Sequence, residues 1–160
     1  MKNKKLVFLV QSSMIAAIYV VLIYIFQPSS SGVIQVRVAE ALTVLPMFTP
    51  AAIPGLTLGC FLGNLLTGSV ILDVVFGSLA TLIGALGSYA LRKFKFLVPL
   101  PPILANIIIV PWILRYAYHA PDAIPFMMLT VGIGEVISCG ILGMVLMIGL
   151  DKYKKVIFRK

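Results

Sequence analysis

Glu135 stands in VGIGEVISCGILG, among small apolar neighbours and with no cationic residue nearby in sequence. A carboxylate buried there needs a partner from another helix, a proton or a ligand. Arg37 and Glu40 lie three apart in QVRVAEALTVLP (35–46), so a helix would place them on one face, and Pro46 follows as a helix-breaker. Asn64, Asp73 and Asn106 interrupt other apolar runs, and Trp112, Arg115, Tyr116 and His119 follow Asn106. Carboxylates and amides beside an aromatic, without a hydrolytic dyad, suit a flat heterocycle with hydrogen-bonding edges. The carboxylates accept N–H bonds or pair with an amine, the amides supply both donors and acceptors, and Trp or Tyr stacks on the ring.

Most of these residues also have a structural reading. Arg37 and Glu40 could form a local ion pair at a helix start, and Asp73 could cap a helix through the dipole. Trp112, Tyr116 and Tyr118 could sit in an interfacial aromatic belt, with His119 exposed in a loop. Cys60 and Cys139 have no CxxC partner and no histidine at ligand spacing, so they read as small buried residues and no metal motif is present. There is no GxSxG, HExxH or Walker pattern, so ATP hydrolysis has no site in this sequence.

The elements that must position these groups are membrane helices. The chain has 160 residues, 61% of them hydrophobic and only 11% charged, with a mean hydropathy of +1.09. Soluble domains are nearer half apolar and a quarter charged. The start, MKNKK before an apolar run, resembles a signal peptide. The run to Phe26 is nevertheless about a full span of ~20 residues, and no clear small-residue cleavage site follows it. It is expected to be the first transmembrane helix.

The net charge of +8 does not point to nucleic acid, because eleven of the thirteen basic residues fall in three clusters: Lys2, Lys4 and Lys5; Arg92, Lys93 and Lys95; and Lys152, Lys154, Lys155, Arg159 and Lys160. The positive-inside rule puts all three in the cytoplasm. An even number of spans must then separate them. Breaks at QPSSSG, FTPAAIPG, TGSVILD and RYAYHAPDAIP, with the basic cluster at 92–95, divide the chain into spans near 7–26, 36–48, 53–66, 70–91, 97–116 and 125–150. The expectation is one all-α integral membrane domain over 1–160, with six transmembrane helices and both termini cytoplasmic. Arg37, Glu40, Asn64, Asp73 and Glu135 then converge on the outer half.

Small residues mark the helix contacts. Gly55, Gly59 and Gly63 repeat every four positions, the spacing that lets membrane helices approach closely. On the first helix, Ser12 with Ala16 and Ser13 with Ala17 form a small-residue patch that could face a helix of this chain or of a partner.

VRVAEALTVLP (36–46), GLTLGCFLGNLLTGSVILDVVFGSLATLIGA (55–85) and GEVIS (134–138), with a weaker contribution from PILANIIIVP (102–111), resemble the queuosine-precursor transporter family, QueT. These proteins are substrate-binding S components of energy-coupling factor (ECF) transporters, which are ABC importers. The resemblance implies a six-helix S-component bundle in a prokaryotic plasma membrane. It implies uptake of a deazaguanine such as prequeuosine (the aminomethyl form) or queuine, and no enzyme activity or cofactor in this chain. The implied partners are a transmembrane coupling subunit and two cytoplasmic ATPases that use the ATP. An Ala-x-x-x-Ala motif docks such S components on the coupling subunit; here its counterpart is Ser12/Ala16 or Ser13/Ala17. On this reading Glu135, with Asp73 or Glu40, reads the ligand's donors and ammonium. Asn64 and Asn106 orient the ligand, Trp112 stacks on its ring, and Arg37 braces Glu40 at the pocket. The alternative from another class is a proton-coupled secondary transporter of a small heterocyclic metabolite or vitamin, working through Glu135. A lipid-modifying enzyme and a ligand-free accessory subunit are further rivals.

Overall fold

The computed structural model describes residues 3–30 and 34–157, and among these the chain is all-helical. Four helical stretches are long and apolar enough to cross a membrane: Lys4–Ile25, Ile71–Ala90, Lys95–Tyr116 and Ile124–Lys154. At ~1.5 Å per residue, 20 residues cover the ~30 Å hydrocarbon core. Two shorter apolar helices, Val38–Met47 and Ala52–Leu66, lie between the first pair. The described helices overlap the apolar runs of the sequence. We name Lys4–Ile25 α1, Ala52–Leu66 α2, Ile71–Ala90 α3 and Leu100–Tyr116 α4. The last rod is α5 (Ile124–Glu135), a π-helical stretch (Val136–Leu142) and α6 (Gly143–Ile157).

The molecule is polar inside and apolar outside. Glu40, Asn64, Asp73, Asn106 and Glu135 are all buried, while Leu66, Ile71, Leu129 and Val145 are each more than 60% exposed. In water such a surface would be unstable. In lipid it is the expected arrangement, because ionisable groups are expensive there and turn inward.

The second segment departs from expectation. Instead of an α-helix over 36–48, Val38–Met47 is a 3₁₀ helix. Its short-range bonds include Glu40 N–H to the Arg37 carbonyl and Phe48 N–H to Leu45, each 2.9 Å. Two side chains oppose α geometry here. The Thr43 hydroxyl takes the Glu40 carbonyl at 2.6 Å, competing with the backbone, and Pro46 has no N–H to offer. The tighter coil has a longer rise, so ten residues reach ~20 Å rather than ~15 Å. Its three-residue repeat aligns Glu40 and Thr43 with Arg37, the residue that precedes the first turn. Residues 39–46 are all buried, and the segment packs against α1, α2, α3, α6 and the π stretch. A helix buried on every side belongs to the core, so this segment is the central post of the bundle.

Glycines set the α1–α2 contact. A Cβ added at Gly55 would meet the Ser12 carbonyl at 2.7 Å, and one at Gly59 would meet Tyr19 Cβ at 2.7 Å. The Ser12/Ala16 face is therefore buried against α2, whereas Ser13 and Ala17 are exposed. At the end that carries the basic clusters, Lys95 and Lys154 both donate to Asp151 at 2.8 Å. The link from Lys95 ties the loop before α4 to the end of α6.

Candidate functional site

The post, α1, α2, α3 and the loop after α4 enclose a cavity of about 470 Å³. Its polar lining includes Tyr19, Arg37, Asn64, Asp73 and Tyr118, with Cys60; Leu22, Ile23, Phe26 and Leu114 supply apolar wall. Asp73 sits in the first turn of α3, where the helix dipole favours a carboxylate, but its side chain makes no capping bond. It is 4% exposed. Its Oδ2 accepts from the Tyr118 hydroxyl at 2.9 Å and lies 4.0 Å from the Arg37 guanidinium. Its Oδ1 has no hydrogen-bond partner among the described residues. A buried carboxylate oxygen left open beside a cavity is an unmet acceptor, which costs free energy until something donates to it.

Asn64 stands next to it. Its amide reaches only the Asp73 carbonyl at 3.5 Å and Cys60 Sγ at 3.6 Å, both long, so it retains capacity for a better partner. Partial burial, and then the charge of Asp73, raise the Tyr118 hydroxyl above the ordinary tyrosine value, so it remains a donor at neutral pH.

Deeper in the bundle lies a second cluster that does not line the cavity: Glu40, Glu135, Asn106 and Cys139. Glu40 and Glu135 are 2% and 3% exposed. One side-chain oxygen or sulfur atom each from Glu40, Glu135 and Cys139 lie within 4.8 Å of one another. The Cys139 thiol donates to Glu135 Oε2 at 3.2 Å, and the Asn106 side chain lies beside both carboxyls. Tyr19 joins the two compartments: its ring lines the cavity and its hydroxyl donates to Glu40 Oε1. Glu40 Oε2 has no hydrogen-bond partner among the described residues.

The π stretch makes this junction possible. Ser138 on it accepts the Arg37 N–H at 3.0 Å, and Cys139 Sγ lies 3.4 Å from the Thr43 hydroxyl oxygen. The Gly134 backbone passes so close to the Gln35 carbonyl that a side chain there has no room. Widened π turns recur at functional sites.

The single convergent cluster expected from the sequence is thus two layers. Asp73, Asn64 and Arg37 line the cavity, while Glu135, Glu40 and Asn106 are deeper. Arg37 forms its ion pair with Asp73, not with Glu40 as expected: it precedes the first turn in extended backbone and lines the cavity, while Glu40 is taken by the Tyr19 hydroxyl. Trp112 does not line the cavity: it is 48% exposed and stacks on Tyr116 with ring centroids 6.1 Å apart. Tyr118, read from sequence as an interfacial residue, instead holds Asp73. Tyr19 and Cys139 were not singled out as site residues. A tyrosine in mid-span was the one available signal for the first, and the four-residue spacing from Glu135 for the second.

This architecture defines an all-helical membrane protein with a polar-lined cavity in its interior. The profile of the QueT transporter family matches residues 9–152, and the chain belongs to that family. It is similar to the protein of Lactococcus lactis subsp. cremoris (strain MG1363) named queuosine precursor transporter QueT, with 35% identity over 98 residues. That match covers 59% of this chain and 57% of the relative, so it spans little more than half of either. No solved structure matches the chain.

Proposed function

We propose that this chain is the substrate-binding S component of an ECF-type importer that takes up a queuosine precursor across a prokaryotic plasma membrane. The observation that carries the reading is the buried Asp73 carboxylate, with one oxygen unpartnered at the cavity. A deazaguanine edge carries the N–H groups that such an acceptor and the Asn64 amide would pair with. Tyr19 and Tyr118 supply ring faces and apolar wall. Arg37 braces Asp73 in place, while Glu135, Glu40 and Asn106 read the part of the ligand that reaches inward. Asp73 begins α3 and Lys95 follows its end; with the basic end taken as cytoplasmic from the charge pattern, the cavity would open outward.

The fuller topology is six passes with both termini inside, α2 and the central post counting as the short ones. The exposed Ser13/Ala17 face of α1 is the docking surface for a coupling subunit, since Ser12 and Ala16 are occupied by α2. ATP would be hydrolysed by separate ATPase subunits.

Titration of the purified protein with prequeuosine, queuine and the nitrile precursor tests the substrate. Failure of all three to bind rejects it. The proximity of the Glu40 and Glu135 carboxyls favours a second reading, a proton-coupled carrier that needs no ATPase. Uptake into vesicles with and without the coupling complex separates the two.

A further inference from the structure

The inner cluster carries more negative charge than the residues around it can offset. Glu40 and Glu135 are both buried, with carboxylate oxygens within 4.8 Å of each other. Around them stand Tyr19 of α1, whose hydroxyl donates to Glu40; Cys60 of α2; Asn106 of α4; and Cys139 of the π stretch. None of these is a cation. Arg37 is the nearest cation and is placed against Asp73 of α3. Two like charges this close and this far from water do not both ionise, and Glu40 Oε2 remains without a hydrogen-bond partner.

We propose that Glu40 and Glu135 share one proton in the unloaded protein and release it when the ammonium of a cationic ligand takes its place. The inference rests on the substrate reading above, with the ligand an aminomethyl deazaguanine. The step balances: the singly protonated pair carries one negative charge and the ammonium one positive. After exchange, the doubly ionised pair holds the ammonium and the proton leaves to solvent. Tyr19 is the wall between cavity and pair, so the aminomethyl arm reaches Glu40 by displacing the tyrosine hydroxyl. Asp73, already offset by Arg37 and Tyr118, has no need of a cation and takes the neutral N–H edge of the ring.

Binding that releases one proton tightens about tenfold per unit rise in pH, until the pair loses its proton unaided. A nitrile precursor brings no cation and lacks this dependence. Calorimetric titration of the full chain, in two buffers of different ionisation enthalpy, reads the proton count directly. The expected result is about one proton released per prequeuosine bound and none per nitrile precursor, with the release lost in Glu135→Gln. Glu40→Gln serves as the second variant should the first not fold. Prequeuosine binding without proton release, or equal release by the nitrile, overturns the exchange while leaving the substrate reading intact. Failure of both ligands to bind the native protein overturns both.

Discussion

Gly77→Ala separates the site from the fold. Gly77 lies one turn after Asp73 on α3, and a Cβ there would sit 3.0 Å from Asp73 Oδ1 and 3.3 Å from the Asn64 amide nitrogen. No other non-local atom lies closer than 4.0 Å. The methyl therefore presses on the one carboxylate oxygen that is open to the cavity and on the amide next to it. Alanine in place of glycine favours a helix interior by roughly 0.5–1 kcal/mol, so the variant should fold at least as well as the native protein. Loss of a hydrogen bond from a ligand to a charged acceptor costs about 1.5–3 kcal/mol, or roughly 10- to 100-fold in affinity. Thermal unfolding should thus hold steady or rise, while the dissociation constant for the deazaguanine rises by one to two orders of magnitude. Native affinity in a folded Gly77→Ala protein refutes the placement of the ligand on Asp73.

Other substitutions test the remaining parts. Tyr118→Phe removes the donor to Asp73 Oδ2 and should weaken binding by about 0.5–1.5 kcal/mol, measured by the same titration. Tyr19→Phe leaves a second oxygen of Glu40 unpaired in the interior, so the unfolding temperature should fall, by about 1–3 kcal/mol in stability. Gly59→Leu drives a side chain into Tyr19 Cβ and should sharply reduce the yield of monodisperse protein. Ser13→Phe adds bulk to an exposed face, and should leave ligand titration unchanged while abolishing uptake that depends on the coupling complex.

The positions of the helices were readable because each is an apolar run ended by Pro, Gly or a basic cluster, and those signals are local. The charge of Glu135 in an apolar run and the small-residue repeat of Gly55, Gly59 and Gly63 were readable for the same reason. The coil of Val38–Met47 was not. Its 3₁₀ geometry depends on the Thr43 hydroxyl taking a backbone carbonyl, and on burial on every side, which only the assembled bundle supplies. The partners of this segment, Asp73 for Arg37 and Tyr19 for Glu40, come from other helices and were hidden for the same reason. The division into two layers was equally hidden, because Tyr19 reaches Glu40 across 21 positions and Tyr118 reaches Asp73 across 45. For Ser12/Ala16 against Ser13/Ala17, neighbouring pairs on one helix, only the approach of α2 distinguishes the inward face from the outward one.

The π stretch between α5 and α6 acts as a phase adjuster. An α-helix turns ~100° per residue, and a wider turn takes up an extra residue without lengthening the rod by a full step. Glu135 just before it and Asp151 beyond it both meet their partners, the inner cluster and Lys95. With a plain α-helix through Val136–Leu142, the two ends would be out of angular register. Aiming Glu135 at the cluster would then swing Asp151 away from Lys95. Removing a single residue from this stretch would therefore act like a key cut one notch off, leaving every side chain of the inner cluster intact but unable to align together with the Lys95–Asp151 latch.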